Sequence, residues 1–220
     1  MTRFAAIADV HGNCLALEAV LADIKRQGIE AVVNLGDHVG GPLEAARTAD
    51  LLIGLAFPSI CGNHDRMVVA KAASELGLSD KAALAELKPA HLRWLERLPS
   101  TLVFADEVLL CHGTPADDDT YWLERVTAHG NVRTATHSEI EEQAKGADYP
   151  LLLCGHTHTP RVVRLQDGRM IVNPGSVGLP AYDHDVPILH YIETGTPHAR
   201  YAVLEQTGAA WGVTFRQLGH

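Results

Sequence analysis

The stretch FAAIADVHGN, Phe4 to Asn13, decides the fold. Its apolar run, Phe4 to Ala8, has strand length and lacks the polar alternation of a strand facing water, so both faces of that strand are covered. A polar cassette, Asp9 to Asn13, opens where the run ends. The same pattern returns at Ala31 to Leu35 before GDH (Gly36 to His38), Ser59 to Cys61 before GNHD (Gly62 to Asp65), Val108 to Cys111 running into CHG (Cys111 to Gly113), and Leu151 to Cys154 before GHTH (Gly155 to His158). Open α/β sheets bind ligands beyond the carboxyl ends of their strands, so these cassettes are expected together at the carboxyl edge of one sheet.

The residue types name a chemistry. Asp9, His11, Asp37, Asn63, His112, His156 and His158 supply carboxylate, amide and imidazole donors, the ligands with which a pair of divalent metals activates water. Asp9 and His11 are two residues apart, and strand alternation carried into the loop directs both to one side. Taken alone they would read as a turn aspartate and a helix-entry histidine. Asp37 has two carboxylate oxygens and can bridge two ions, while Asn63 adds a neutral oxygen that limits the accumulated negative charge.

In this order, DxH, GD, GNHD, HG and GHTH, the chain resembles the calcineurin-like binuclear metallophosphoesterase superfamily. Within it the chain is similar to the small bacterial phosphodiesterase branch, in which GHTH is followed by Pro160, a short hairpin and NPGSVG, Asn173 to Gly178. The resemblance implies an αββα sandwich of two mixed sheets flanked by helices. It implies two divalent metal ions, manganese first, with iron, zinc, cobalt or nickel as alternatives. Asp9, His11, Asp37 and His158 would bind one metal, and Asp37, Asn63, His112 and His156 the other. A bridging hydroxide would attack a small organic or nucleotide phosphodiester, and His64 would be the catalytic histidine, stabilising a phosphoryl oxygen or protonating the leaving group. Asp65 is expected to support its loop or to orient His64. The alternatives are a nucleoside polyphosphate hydrolase, a phosphomonoesterase or protein phosphatase, and a metal-bound scaffold like the retromer subunit of this fold, whose site is impaired.

One departure separates the chain from the protein serine/threonine phosphatases and the symmetrical dinucleoside tetraphosphate hydrolases. They carry Asp-Arg after GD, whereas this chain reads GDHVGGP, Gly36 to Pro42. The arginine that would clamp phosphate is missing, as is the acid that would orient the histidine.

Composition sets the remaining bounds. A 220-residue chain that is 46% hydrophobic suits one domain, residues 1–220, with one large core. Its net charge of -9 disfavours a nucleic-acid polymer as partner, while a small phosphate-ester substrate stays compatible because metals create local positive charge. No apolar run approaches the ~20 residues of a membrane span, so a cytoplasmic protein without a membrane partner is expected. The oligomeric state is not set. Cys14, Cys61, Cys111 and Cys154 form no CxxC pair and read as small buried hydrophobes rather than thiolate ligands.

The coarse elements follow. A helix capped by Asn13 shows Leu15, Leu17, Val20, Leu21 and Ile24 on one face and stops at Gly28. A second runs from Leu43 to Gly54, and two more span Ala72 to Leu98, broken near Pro89, with Trp94 and Leu98 in the core. The second half, including Ala199 to Leu204 and Trp211 to Phe215, is read as a second, largely antiparallel sheet with a hairpin turn at Asp167-Gly168. Thr114 to Arg133 is read as loop, its acidic triplet Asp117 to Asp119 as solvated. Three residues are candidates for substrate contact: His38 from the site rim, and Tyr182 and His184 from a polar loop, Tyr182 to Asp185, reaching over the pocket.

Overall fold

The computed structural model describes residues 2–219. The first half of the chain runs β1 (Arg3–Ile7), α1 (Cys14–Arg26), β2 (Ala31–Asn34), α2 (Ala45–Leu55), α3 (Asn63–Ala70), α4 (Leu78–Glu86), α5 (Pro89–Leu95), β3 (Thr101–Phe104) and β4 (Val108–Cys111). The second half runs β5 (Glu124–Val126), β6 (Val132–Thr134), α6 (His137–Gln143), β7 (Leu151–Leu153), β8 (Arg161–Arg164), β9 (Met170–Asn173), β10 (Ala181–His184), β11 (His190–Glu193), β12 (Ala199–Thr207) and β13 (Ala210–Leu218).

Two mixed sheets result, ordered β13-β12-β1-β2 and β3-β4-β7-β9-β8. β1 and β2 are parallel, joined through α1, whose first turn is capped by the Asn13 side chain accepting from the Ala16 N–H at 3.1 Å. β4, β7 and β9 are parallel, with β3 and β8 antiparallel at the edges. Alternate residues build separate layers, as the period of a strand requires. Phe4, Ala6, Ala8, Val33 and Leu35 of the first sheet and its loops meet Val108, Leu110, Leu151, Leu153 and Val172 of the second in the central core. Ala5 and Ile7 face the other way onto Leu17, Val20 and Ile24 of α1, and Leu109, Leu152 and Ile171 face Ile140 of α6 with Trp122 and Leu123. Helix, sheet, sheet and helix therefore stack as the αββα sandwich that the motifs imply.

Several expectations need correction. The cassettes emerge from two sheets, not one: β1 and β2 lie in the first, β4 and β7 in the second. The second sheet is mixed rather than largely antiparallel, and β12 and β13 join the first sheet by pairing with β1. The apolar segment at Ser59 forms only a parallel bridge to Asn34 and no strand of its own. Within Thr114 to Arg133, β5 forms next to the fully buried Trp122 and Leu123, so the segment contributes core. Tyr182 to His184 lie on β10 of a hairpin with β11, not in a loop. Leu15 is 58% exposed and lies outside the buried face of α1, while Trp94 and Leu98 are only partly buried beside a fully buried Leu95. No helix is long and apolar enough to cross a membrane among the described residues.

The first sheet is tied to its covering helix through a buried carboxylate. Asp23 of α1 accepts hydrogen bonds from the Tyr201 hydroxyl of β12 at 2.8 Å, from Arg216 of β13 at 3.1 Å and from Arg26 at 3.0 Å. Burial opposes its ionisation, but these donors outweigh burial and hold its pKa below the usual carboxylate value. Asp23→Ala leaves the Tyr201 hydroxyl without its acceptor and should cost about 1–3 kcal/mol in denaturant unfolding. Because the folded pKa is depressed, the advantage over Asp23→Asn should be complete above the unfolded pKa and fade as pH falls through the folded one.

Candidate metal centre

β1 stops at Ile7, and the chain then turns through left-handed backbone at Asp9 (φ 55°) and His11 (φ 48°). Asp37 (φ 54°), His156 (φ 68°) and His158 (φ 54°) share that conformation, which is uncommon without glycine. Strand alternation is thus not what aims Asp9 and His11 together; two successive left-handed turns do. The first two cassettes hold each other by main-chain bonds of 3.0 Å, from Asp9, His11 and Gly12 N–H to the carbonyls of Gly36, Asp37 and His38. The third is pressed against them at Gly36 (φ +97°), where a Cβ would lie 2.6 Å from the Gly62 nitrogen, closer than any side chain tolerates.

All seven ligand candidates converge. Asp9, His11 and His158 form one cluster and Asp37, His112 and His156 a second, with the donor atoms of each within 4.8 Å of one another and every residue buried. Asn63 completes the second, its Oδ1 3.0 Å from His112 Nε2. Asp37 stands between them: its Oδ2 is 3.2 Å from His112 Nε2 and 3.7 Å from His11 Nε2, while its Oδ1 accepts from the His64 main-chain N–H at 2.9 Å.

The protonation pattern fits divalent cations. Nδ1 of His112 donates to the Leu35 carbonyl at 2.7 Å, and Nδ1 of His11 and of His158 donate to the carbonyls of Gly40 and Leu179. Carbonyls only accept, so each Nε2 presents a lone pair to the cluster. His11 Nε2 and His158 Nε2 face each other at 3.2 Å, and Asp9 Oδ2 is buried with no hydrogen-bond partner. Lone pairs and carboxylate oxygens crowded without donors repel one another unless positive charge sits among them. The titration behaviour carries the same sign. Burial disfavours the charged form of His112, yet Asp37 and Asp9 drive its pKa up to about 10, so it takes up a proton when no cation serves. Burial dominates at His11 and His156, lowered to about 4 and about 3, which keeps their rings neutral and able to offer a lone pair.

His64 lies outside both clusters and lines the cleft beside them. Its Nδ1 is 2.8 Å from Asp80 Oδ1, which leaves Nε2 for the cleft. Burial opposes its charge, but Asp37 and Asp80 outweigh it and raise the pKa to about 9. An orienting acid is therefore present after all: it comes from the first turn of α4 rather than from the position after GD. In the sequence Asp80 reads as an ordinary helix-start aspartate. Asp65 holds not His64 but His38, accepting from its Nδ1 at 2.6 Å and from the main-chain N–H groups of His38 at 2.9 Å and Gly62 at 3.1 Å. His38 is fully buried, packs on Trp94, and is absent from the cleft wall; its assignment to the site rim is corrected to a support of the loop.

The cleft has a volume of about 390 Å³. Tyr182 and His184 line it as expected, together with Pro42, Leu43, Leu179 and the unforeseen Tyr121. Tyr182 donates to the His156 carbonyl at 3.3 Å and meets the Tyr121 hydroxyl at 2.8 Å, so the β10–β11 hairpin is braced over the second cluster. No lysine or arginine is among its lining residues. The arginines that flank the motifs are engaged elsewhere: Arg66 with Asp118, Arg133 with Glu139 and Arg161 with Glu124. The acidic triplet is not simply solvated, because Asp119 reaches the cleft and accepts from Asn63 Nδ2 at 3.1 Å. All four cysteines are free, and burial pushes the Cys61 thiol up to about 12 and those of Cys111 and Cys154 higher, so they contribute no thiolate.

The geometry has known counterparts. Residues 2–195 match the calcineurin-like phosphoesterase superfamily domain. An uncharacterized protein of Methanocaldococcus jannaschii is 30% identical over 194 residues, 81% of this chain and 77% of the relative. A metallophosphoesterase from Sphaerobacter thermophilus is 28% identical with a TM-score of 0.76, covering 100% of this chain and 89% of that one. Vps29 of Chaetomium thermophilum, 13% identical with a TM-score of 0.54 over 99% of this chain and 97% of its own, shares the fold alone.

Removing the charge between the clusters tests the site. Asp37→Asn should lose at least one equivalent of bound Mn²⁺ by elemental analysis, whereas Asp117→Asn should keep the wild-type content. Equal loss in both proteins would show that the second cluster is misplaced.

Proposed function

The chain belongs to the calcineurin-like phosphoesterase superfamily, and from that premise we propose that it is a binuclear metal-dependent phosphodiesterase acting on a small organic or nucleotide phosphodiester. Asp9, His11, Asp37 and His158 would hold one cation and Asp37, Asn63, His112 and His156 the other, with manganese first among the metals that accept oxygen and imidazole donors. When bound, such a pair supplies Lewis-acid stabilisation of phosphoryl charge and a water acidic enough to attack at neutral pH. The chain's own residues do the rest. His64, with Nδ1 held by Asp80 and Nε2 free, is placed to give a proton to the departing ester oxygen. Tyr121, Tyr182, Leu43 and Leu179 wall the space in which the ester's organic group would lie.

The observation that carries the choice of diester is the cleft's charge. Its lining offers no guanidinium or ammonium group, and Asp119 adds a carboxylate, so apart from the protonated His64, which is spent on the leaving group, the chain supplies no cation for the second negative charge of a monoester. With added Mn²⁺, bis(p-nitrophenyl) phosphate should be cleaved with higher kcat/KM than p-nitrophenyl phosphate, and a chelator should abolish both reactions. A monoester preference maintained across several metals overturns the diester assignment. His64→Ala should lower kcat by about 10²–10⁴-fold while metal content stays at the wild-type level. Asp80→Asn, which leaves every ligand candidate in place, should lower kcat about tenfold or more with little change in KM.

A further inference from the structure

We propose that Asp119 is a positioning residue for the second metal cluster, fixing Asn63 and His156 in their ligating orientations, and that the Arg66–Asp118 ion pair holds it there. The inference rests on the two-cation reading of the site. Asn63 presents one face with an oxygen and one with an NH₂ group, and only the oxygen can serve a cation. Asp119 Oδ1 accepts from Asn63 Nδ2 at 3.1 Å, which turns the amide oxygen toward His112 Nε2, 3.0 Å away. The same residue works through its main chain: its carbonyl accepts from His156 Nε2 at 3.0 Å. That bond places the His156 proton on Nε2 and leaves the lone pair of Nδ1 for the metal.

The control is confined to one cluster. His11 and His158 of the other are held by the carbonyls of Gly40 and Leu179, and none of their hydrogen bonds involves the acidic loop. The loop is keyed to the helix that carries Asn63. Arg66 of α3 makes a two-pronged pair with Asp118, Nε to Oδ2 and Nη2 to Oδ1, both at 2.7 Å. Asp117 stiffens the turn by accepting the Asp119 N–H at 2.7 Å and by exchanging main-chain bonds with Thr114. Asp119 itself is exposed and borders the cleft, so a ligand-orienting residue sits within reach of solvent and substrate. Its charge adds attraction for a cation in the second cluster.

Calorimetric titration of the metal-stripped full-length protein with Mn²⁺, with bound metal counted after dialysis, tests this without assaying activity. Asp119→Ala should weaken one of two equivalents by about 10- to 100-fold, the usual cost of losing a residue that orients metal ligands, and leave the other unchanged. His158→Ala should affect the opposite equivalent. Asp119→Asn, which keeps the acceptor oxygen, should retain most of the affinity, and Arg66→Ala, which frees the loop while touching no ligand, should fall between Asn and Ala. Wild-type binding of both equivalents by Asp119→Ala overturns the proposal, as does equal weakening of both. A wild-type protein that takes up a single equivalent overturns the two-cation reading and this proposal with it.

Discussion

The site depends on the placement of one carboxylate. Asp37 is 99% buried, its Oδ1 fixed by the His64 main chain, and its Oδ2 lies between an imidazole from the first sheet's loops and one from the second's. An uncompensated carboxylate in such surroundings costs several kcal/mol, so the surrounding structure must supply positive charge or donors. His112 takes up a proton when nothing else does; a divalent cation answers the same demand with greater charge. The two sheets must meet at their carboxyl ends for this to happen, which gives the inner core from Phe4 to Trp211 a role beyond stability.

The ligating backbone carries a cost of its own. Five of the seven ligand candidates have positive φ, each costing about 1 kcal/mol relative to ordinary conformations. The main-chain bonds between the first two cassettes and the Asp65–His38 pair hold the turns at Asp9, His11 and Asp37 in place. Strain is concentrated at the site and balanced by ordinary sheet and core packing elsewhere, a distribution that favours rigid presentation of ligands over local stability.

What could be read from the sequence divides along a physical line. The ligand candidates were legible because carboxylate, amide and imidazole donors recur directly after apolar runs in a specific order, although any one cassette alone reads as an ordinary turn. Sheet membership was not: the apolar faces of Ala199 to Leu204 show that the strand is buried, but nothing local says that its partner is β1, almost 200 positions earlier. Asp80 and Asp119 escaped for a related reason. One resembles a helix start and the other a solvated loop, and only their tertiary neighbours, His64 in one case and Asn63 with His156 in the other, give them work. His38 was misread in the opposite direction, since adjacency to Asp37 in the chain says little about which way a residue turns once its neighbour adopts a left-handed conformation.

The carbonyls that fix the imidazoles have a further consequence, for heredity. In this protein the ring protons of His11, His112 and His158 are assigned by the main chain at Gly40, Leu35 and Leu179 rather than by partner side chains. Every amino acid has a carbonyl, so mutation at codons 35 and 179 can alter packing without altering that instruction. At Gly40 it cannot, because a Cβ there would come within 2.9 Å of both the His64 ring and Asp80. Divergent descendants could therefore keep identical tautomers at His112 and His158 while positions 35 and 179 drift, and a comparison of sequences would miss those two determinants.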